Sequence, residues 1–160
     1  TRLRAQMATQ CNSVLLDCIV DHAGNEDSRF EPIEIQIPRQ KFFYALSLSK
    51  TERTFVVSVD RQRQVCGYME LAARPGTVPL GTSEVFKAAI MSNFTTIIYA
   101  RHTLDLSVAP SVQDMKMAQE LIRAGKVLGI EIDDYIIVNK DGEYCMRGHQ
   151  PKIWRQLSKS

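Results

Sequence analysis

The stretch SEVFKAAIMSNFTTIIYA (residues 83–100) and the stretch PSVQDMKMAQELIRAGKVLGIEIDDYIIV (residues 110–138) decide the fold. Each begins with a segment of helical periodicity and ends in a short run rich in β-branched residues. In the second stretch, apolar residues and Gly125 recur at the i, i+3, i+4 and i+7 spacing, which gives a helix one core-facing stripe. The two stretches therefore predict two helix–strand units of a mixed α/β domain.

Capping residues indicate where these two helices begin. Ser83 is a natural start for the first helix, which we expect to end near Asn93, before a strand over Thr95–Ala100. In the second helix, Ser111 is the predicted N-cap, a structural role, and Asp114 stands three residues later at the capping-box position. This capping role accounts for Asp114 without any metal.

The flanking sequence adds strands and a short helix. Period-two alternation and turn residues predict strands at 14–20, 33–37, 54–59, 65–71, 134–138 and 143–146. A short helix is expected after Pro38. We divide the chain into an amino-terminal strand pair over 1–38, a main domain over 39–148 and a tail over 149–160. The fold class is a central mixed sheet, mostly antiparallel, flanked by helices.

Composition limits the kinds of partner. The 160 residues are 44% hydrophobic and 24% charged with a net charge of +2, which is globular and gives no general attraction to nucleic acid. No apolar run approaches the roughly 20 residues of a membrane helix, so no membrane partner is expected. The four cysteines form no CxxC pair, which favours buried free thiols and a reducing, cytoplasmic location.

The two quoted stretches resemble the RadC family, bacterial members of the JAB/MPN (JAMM) metalloprotease-like fold. That family has a REVFKAAL-like helix, a strand ending in Ala and a His-x-His-Pro-Ser-Gly loop. Pro-Ser-x-x-Asp, a helix ending in AGKLLGI and a strand Asp-His-Ile-Ile-Val follow. The resemblance covers about residues 50–148 and implies a cytidine-deaminase-like three-layer fold.

The same resemblance implies where a zinc site would lie. In the family, two His of the loop and the Asp of the following helix bind zinc, and an upstream Glu is the general base. The matching positions here are Arg101 and Thr103 for the two His, Asp114 for the Asp and Glu52 for the Glu. Asp105 replaces the Ser that helps to stabilise the tetrahedral intermediate. The two lost ligand positions imply that Asp114 and Glu52 are vestigial.

The residue types at the lost positions oppose metal binding. Arginine has no lone pair and keeps its proton, so Arg101 repels a cation, and threonine is a poor neutral ligand. Because a cation now stands beside two surviving acids, we expect a salt bridge from Arg101 to Asp114 or Glu52. No catalytic residue, metal ligand or cofactor is then expected. The alternative is an altered metal site made from Glu52, His102, Asp105 and Asp114, which would hold zinc or a harder cation.

These considerations predict a non-catalytic RadC-like JAB/MPN domain that serves as a protein–protein interaction or scaffold module. Its expected partner is another protein or a second copy of the chain. One alternative is a metal-dependent peptidase or isopeptidase with an altered ligand set. The other alternative is an accessory protein of DNA repair or mobile elements. Only the family name suggests this role, since the sequence has no basic stripe with interleaved aromatic residues to support nucleic-acid binding.

Overall fold

A computed structural model describes residues 33–71 and 81–158. The predicted strand over 14–20 and the cysteines Cys11 and Cys18 lie outside this part of the chain. Six strands form one sheet: β1 Ile33–Ile37, β2 Arg53–Val59, β3 Val65–Leu71, β4 Thr96–His102, β5 Glu131–Asn139 and β6 Gly142–Cys145. Their order across the sheet is β1-β3-β2-β4-β5-β6.

The sheet is mostly antiparallel, as the sequence predicts. Strand β2 pairs with both β3 and β4 in antiparallel fashion, and β6 pairs with β5 in the same way. Only β4 and β5 are parallel among the described strands, because a helix connects them as a crossover. This crossover brings the end of β4 close to the beginning of the helix that follows it.

Five helices accompany the described strands: α1 Arg39–Ser47, α2 Thr82–Met91, α3 Val112–Leu128, α4 Met146–His149 and α5 Pro151–Ser158. Helix α3 has the predicted Ser111 N-cap and ends at Gly129 in the left-handed conformation, with φ of 74°. Helix α2 begins earlier than predicted, since its N-cap is Gly81 rather than Ser83. The side chain of Glu84 accepts a hydrogen bond from the Gly81 N–H at 3.0 Å, which stabilises this earlier start.

Two hydrophobic cores lie on opposite faces of the sheet and make the fold three-layered. On one face, α2, α3 and α5 cover a core that includes Val85, Leu121, Ile137 and Trp154. On the other face, α1 covers a core built around Phe42. Strands β2, β4 and β5 contribute to both cores, because alternate side chains of a strand point to opposite faces.

The carboxyl-terminal segment differs from its description as a tail. Residues 151–158 form α5, whose Trp154 is only 5% exposed and donates from Nε1 to the carbonyl oxygen of Ile132 at 2.9 Å. A single tryptophan among polar residues gives too weak a pattern to predict this packing. The sequence predicts buried free thiols, whereas Cys66 and Cys145 are free and half-buried.

Candidate functional site

The end of β4 presents three consecutive residues to two faces of the sheet. Arg101 points towards the beginning of α3, and the buried His102 lies on the α1 face with Ala100. Thr103 continues the pairing with β5 through a 2.8 Å hydrogen bond from its N–H to the Val138 carbonyl. The alternation places the side chains of Arg101 and Thr103 towards the acids that the sequence singled out.

Arg101 forms a two-pronged ion pair with Asp114 in the first turn of α3. The guanidinium Nε lies 2.8 Å from Asp114 Oδ1, and Nη2 lies 2.6 Å from Oδ2. The side chain of Asp114 is 6% exposed and that of Arg101 is 26% exposed. This is one of the two salt bridges that we expect from the sequence. It places a positive charge against Asp114, whose position corresponds to the zinc-binding Asp of the RadC family.

The remaining hydrogen bonds of Asp114 come from protein groups as well. The Tyr135 hydroxyl donates to Oδ1 at 2.6 Å, and the N–H and hydroxyl of Ser111 donate to Oδ2 at 2.8 and 2.9 Å. In return, the Asp114 N–H donates to Ser111 Oγ at 3.1 Å, which completes the capping box. Two carboxylate oxygens offer about four lone-pair sites, so five donors leave Asp114 no acceptor capacity for a metal.

These contacts determine the protonation of the pair. Burial by itself raises the pKa of Asp114, but the hydrogen bonds from Arg101, Tyr135 and Ser111 and the charge of Arg101 outweigh it and lower the pKa to about 2. Burial also lowers the pKa of Arg101, yet the hydrogen bond and charge of Asp114 raise it overall. The pair is therefore ionised at neutral pH.

Glu52 lies beside this pair but contacts different atoms. Its Oε2 accepts from the Thr103 hydroxyl and from the Leu104 N–H, both at 3.0 Å. The backbone hydrogen bond from Leu104 is the main reason that the pKa of Glu52 is lowered, despite some opposing burial, and Thr103 and Arg101 lower it further. Glu52 is thus used to hold the β4–α3 loop, and its carboxylate stays charged, as a general base requires.

The four residues of the alternative metal site do not converge. His102 points to the opposite face from Asp114, and burial is the main cause of its lowered pKa. Asp105 is exposed on the loop, where its N–H donates to Thr103 Oγ1 at 3.1 Å. Within residues 33–71 and 81–158, no three His, Cys, Asp or Glu side chains are grouped so that they could hold a metal ion.

The donor set at the family's zinc position does not fit zinc. A catalytic zinc takes three protein ligands with lone pairs and one open position. Here Arg101 offers none, Thr103 offers a neutral hydroxyl that already donates to Glu52, and the Asp114 oxygens are fully used. We therefore derive no chemistry through a metal at this position.

Two residues that hold the site were missed by sequence reasoning. Tyr135 stands where the resemblance gives the family a His, and its hydroxyl donates to Asp114. Asn139 donates from Nδ2 to the carbonyls of Asp105 and Leu106 at 3.2 and 3.1 Å, which fixes the loop after β4. A buried Tyr aligned with a ligand-region residue is a usable signal, whereas Asn139 gives none.

The fold and the site together define an α/β domain of JAB type with an ion pair at the metal position. The family model of the RadC-like JAB domain matches residues 37–151, so the chain belongs to the RadC-like JAB domain family. Within the described residues, no helix has the length and apolar character needed to cross a membrane.

Curated relatives agree with this assignment. The chain is 30% identical to a UPF0758 protein of Clostridioides difficile over 129 residues, which cover 76% of this chain and 54% of that protein. It is 36% identical to a UPF0758 protein of Methanococcoides burtonii over 61 residues, or 38% of this chain and 26% of the relative. A UPF0758 protein of Thermotoga maritima is 24% identical over 125 residues, or 73% and 53% of the two chains. The chain thus spans between about a quarter and about half of these relatives.

Proposed function

We propose that this chain is a non-catalytic RadC-like JAB domain that works by binding another protein, either a second copy of itself or a different chain. The observation that carries the proposal is the Arg101–Asp114 ion pair, in which a guanidinium satisfies the carboxylate that would otherwise bind the metal. A permanent cation at this position supplies structural charge balance but no activated water.

A fixed apolar loop beside the ion pair supports the binding role. Leu104, Leu106 and Val112 are 60%, 84% and 88% exposed, although apolar side chains usually avoid water. The loop that carries Leu104 and Leu106 is held by Glu52 and Asn139, and Val112 follows it as the first residue of α3. Exposed apolar side chains on a fixed segment suit an interface, because little conformational entropy is lost when a partner covers them.

Metal content tests the non-catalytic half of the proposal. We would measure zinc by mass spectrometry on untagged protein, on Asp114→Ala and on a double variant, Arg101→His with Thr103→His. The wild-type chain should carry far less than one zinc ion per chain, and the double variant, which regains the family's ligand types, should carry more. Near-stoichiometric metal in the wild type that is lost in Asp114→Ala would instead support the altered metallopeptidase.

Self-association tests the binding half. Sedimentation velocity over a concentration series should show assembly that Leu106→Asp weakens. The matched control is Val127→Asp, which places the same charge on a similarly exposed residue, 86% exposed, at the far end of α3. If the wild type stays monomeric, cross-linking should capture a partner through the Leu106 loop; a monomer without such a partner would contradict the proposal.

A further inference from the structure

A polar cleft of about 550 Å³ lies away from the Arg101 site, at the other end of the sheet. Arg101 pairs with Ile137 of β5, whereas Asp134, which lines the cleft, pairs with Ile98, three residues nearer the beginning of the strand. The volume lies within the range typical of small-ligand sites. Arginines and glutamines dominate its lining: Arg39, Arg63, Arg147, Gln40, Gln62 and Gln64.

An irregularity in β5 places two acids, Asp133 and Asp134, against the arginines of this cleft. The register between β4 and β5 shifts so that Ile97 pairs with Ile132 and Ile98 with Asp134, which leaves Asp133 as the extra residue of a bulge. Regular alternation would send Asp133 and Asp134 to opposite faces. Because of the bulge, Arg39 reaches both carboxylates, Asp133 at 3.3 Å and Asp134 at 3.0 Å.

Three guanidinium groups share the single carboxylate of Asp133. Besides Arg39, the Nη2 of Arg63 lies 3.1 Å from its Oδ2, and the Nη1 of Arg147 lies 3.6 Å from its Oδ1. Asp134 makes different contacts, because its Oδ1 accepts hydrogen bonds from the backbone N–H groups of Tyr135 and Arg147 at 2.7 and 2.9 Å. Within the part of the chain that the structure describes, the three arginines and two aspartates of this cluster carry a net charge of +1.

Two of these arginines keep some guanidinium N–H groups for an incoming ligand. Arg63 already donates from Nε and Nη2 to Asp133 Oδ2 at 3.3 and 3.1 Å, and Arg147 donates from Nη1 to the Asp133 carbonyl oxygen at 3.1 Å, so the other N–H groups would contact the ligand. The side chains of Arg63 and Arg147 are 54% and 42% exposed, while Asp133 is 8% exposed. Arg63 also has a left-handed backbone with φ of 62°, a conformation that favours Gly or Asn. A large charged residue thus takes an unfavourable turn conformation at the cleft that it lines, with its guanidinium against Asp133.

We propose that this cleft binds a carboxylate that carries a single negative charge, held between Arg63 and Arg147 with the glutamine amides as additional donors. Guanidinium groups pair with planar carboxylates through two parallel hydrogen bonds, and one such anion would balance the excess charge of the cluster. The carboxylate can belong to a free small acid or to a Glu or Asp side chain of a protein. This inference is independent of the role proposed for the Arg101 end of the molecule.

Nuclear magnetic resonance titration of the full chain tests the proposal. The probes are acetate and a blocked peptide with one Glu between glycines, with the same peptide carrying Gln as the uncharged control. We expect saturable shifts of the Arg63 and Arg147 Nε–H signals with the Glu peptide and not with the Gln peptide. Acetate that binds as tightly as the peptide would indicate a small acid, and tighter peptide binding would indicate a protein side chain.

Variants separate ligand binding from structural ion pairing. Arg147→Gln and, independently, Arg63→Gln should weaken binding roughly tenfold, because each removes one charge-assisted contact. Arg155→Gln removes an exposed arginine of α5 outside the cleft and should leave binding unchanged. Arg63→Gln lies in an exposed turn and keeps the test valid if Arg147→Gln fails to fold. Linear, unsaturable shifts, equal shifts with the Gln peptide, or binding indifferent to both substitutions would overturn the proposal.

Discussion

At the scale of single residues, Asp114 is a carboxylate whose acceptor sites are filled by groups of the protein itself. Its carboxylate accepts two bonds from Arg101 and one from Tyr135, and Ser111 supplies the others. All of these donors favour the ionised form, so protonation of Asp114 costs more in the folded protein than in the unfolded chain. The site should therefore contribute to stability in a pH-dependent way.

We predict that Asp114→Asn removes a stability contribution that disappears in acid. Because the pKa of Asp114 is lowered from 3.8 to about 2, its contribution is fully present above the unfolded value and is lost as pH falls through the folded value. Between about pH 5 and pH 2 the wild type should lose about 2 kcal/mol relative to the Asn variant. Urea unfolding midpoints across this range measure the difference.

The exposed Glu120→Gln is the control for this experiment, since it removes a carboxylate from the same helix without an ion pair in the described structure. Its stability difference from the wild type should stay small throughout the series. Parallel acid loss in the wild type and in Asp114→Asn would show that Asp114 does not contribute in the way that its contacts indicate.

Residue chemistry explains what the sequence could predict of this site. The resemblance to the RadC family implies that the cation at position 101 lies beside acids at 52 and 114, which is enough to suggest the ion pair. Ser111 followed by Asp114 is enough to suggest the cap. The choice of Asp114 over Glu52 as the partner of Arg101 depends on the crossover that brings α3 to the end of β4. Tyr135 reaches Asp114 because β5 lies beside β4 in the sheet, so the contact depends on the fold as well as on the residue type.

At the scale of elements, the connection from α3 to β5 depends on two glycines with different tasks. Gly129 ends α3 in a left-handed conformation with open space around it, which allows the chain to turn. Gly125 lies inside the helix, and a Cβ there would overlap the carbonyl oxygen of Ile130 at the approach to β5. The absence of a side chain at Gly125 therefore allows α3 to approach the backbone at Ile130 closely.

We predict that Gly125→Ala destabilises the protein although alanine favours helices. The propensity gain of about 1 kcal/mol is smaller than the cost of moving α3 away from a backbone oxygen, so a net loss of about 1–3 kcal/mol is expected. Urea denaturation followed by circular dichroism measures it. The control is Gly129→Asn, which should cost less because Asn tolerates the left-handed conformation. If Gly125→Ala were as stable as the wild type or more stable, the packing argument would be contradicted.

The structure of β5 also shows where prediction from sequence periodicity fails. The predicted strand Asp134–Val138 lies within β5 but misses its first residues, because the bulge at Asp133 breaks the period-two pattern. The cleft built on that bulge joins residues of α1, the β2–β3 turn and α4, which are distant in the chain. Its arginines look like separate solvated charges until the fold brings them together.

At the scale of the whole molecule, one sheet supports both hydrophobic cores. Alternate residues of β4 enter different cores, Ile97 and Tyr99 on the α3 face, and Ile98 and Ala100 on the α1 face. Loss of packing on either face therefore weakens the same strands. This sharing makes cooperative unfolding the expected behaviour, since neither layer of helices has a sheet of its own.

We predict that a core change on the α1 face is felt at Trp154 on the opposite face. Phe42→Leu removes ring contacts with Phe55 and Tyr68 and should cost about 1–2 kcal/mol through lost packing. Because Trp154 is the only tryptophan in the chain, its fluorescence reports the α3 face alone. Its urea midpoint should fall together with the circular dichroism midpoint; an unchanged Trp154 transition beside a shifted circular dichroism transition would mean that the two layers unfold independently.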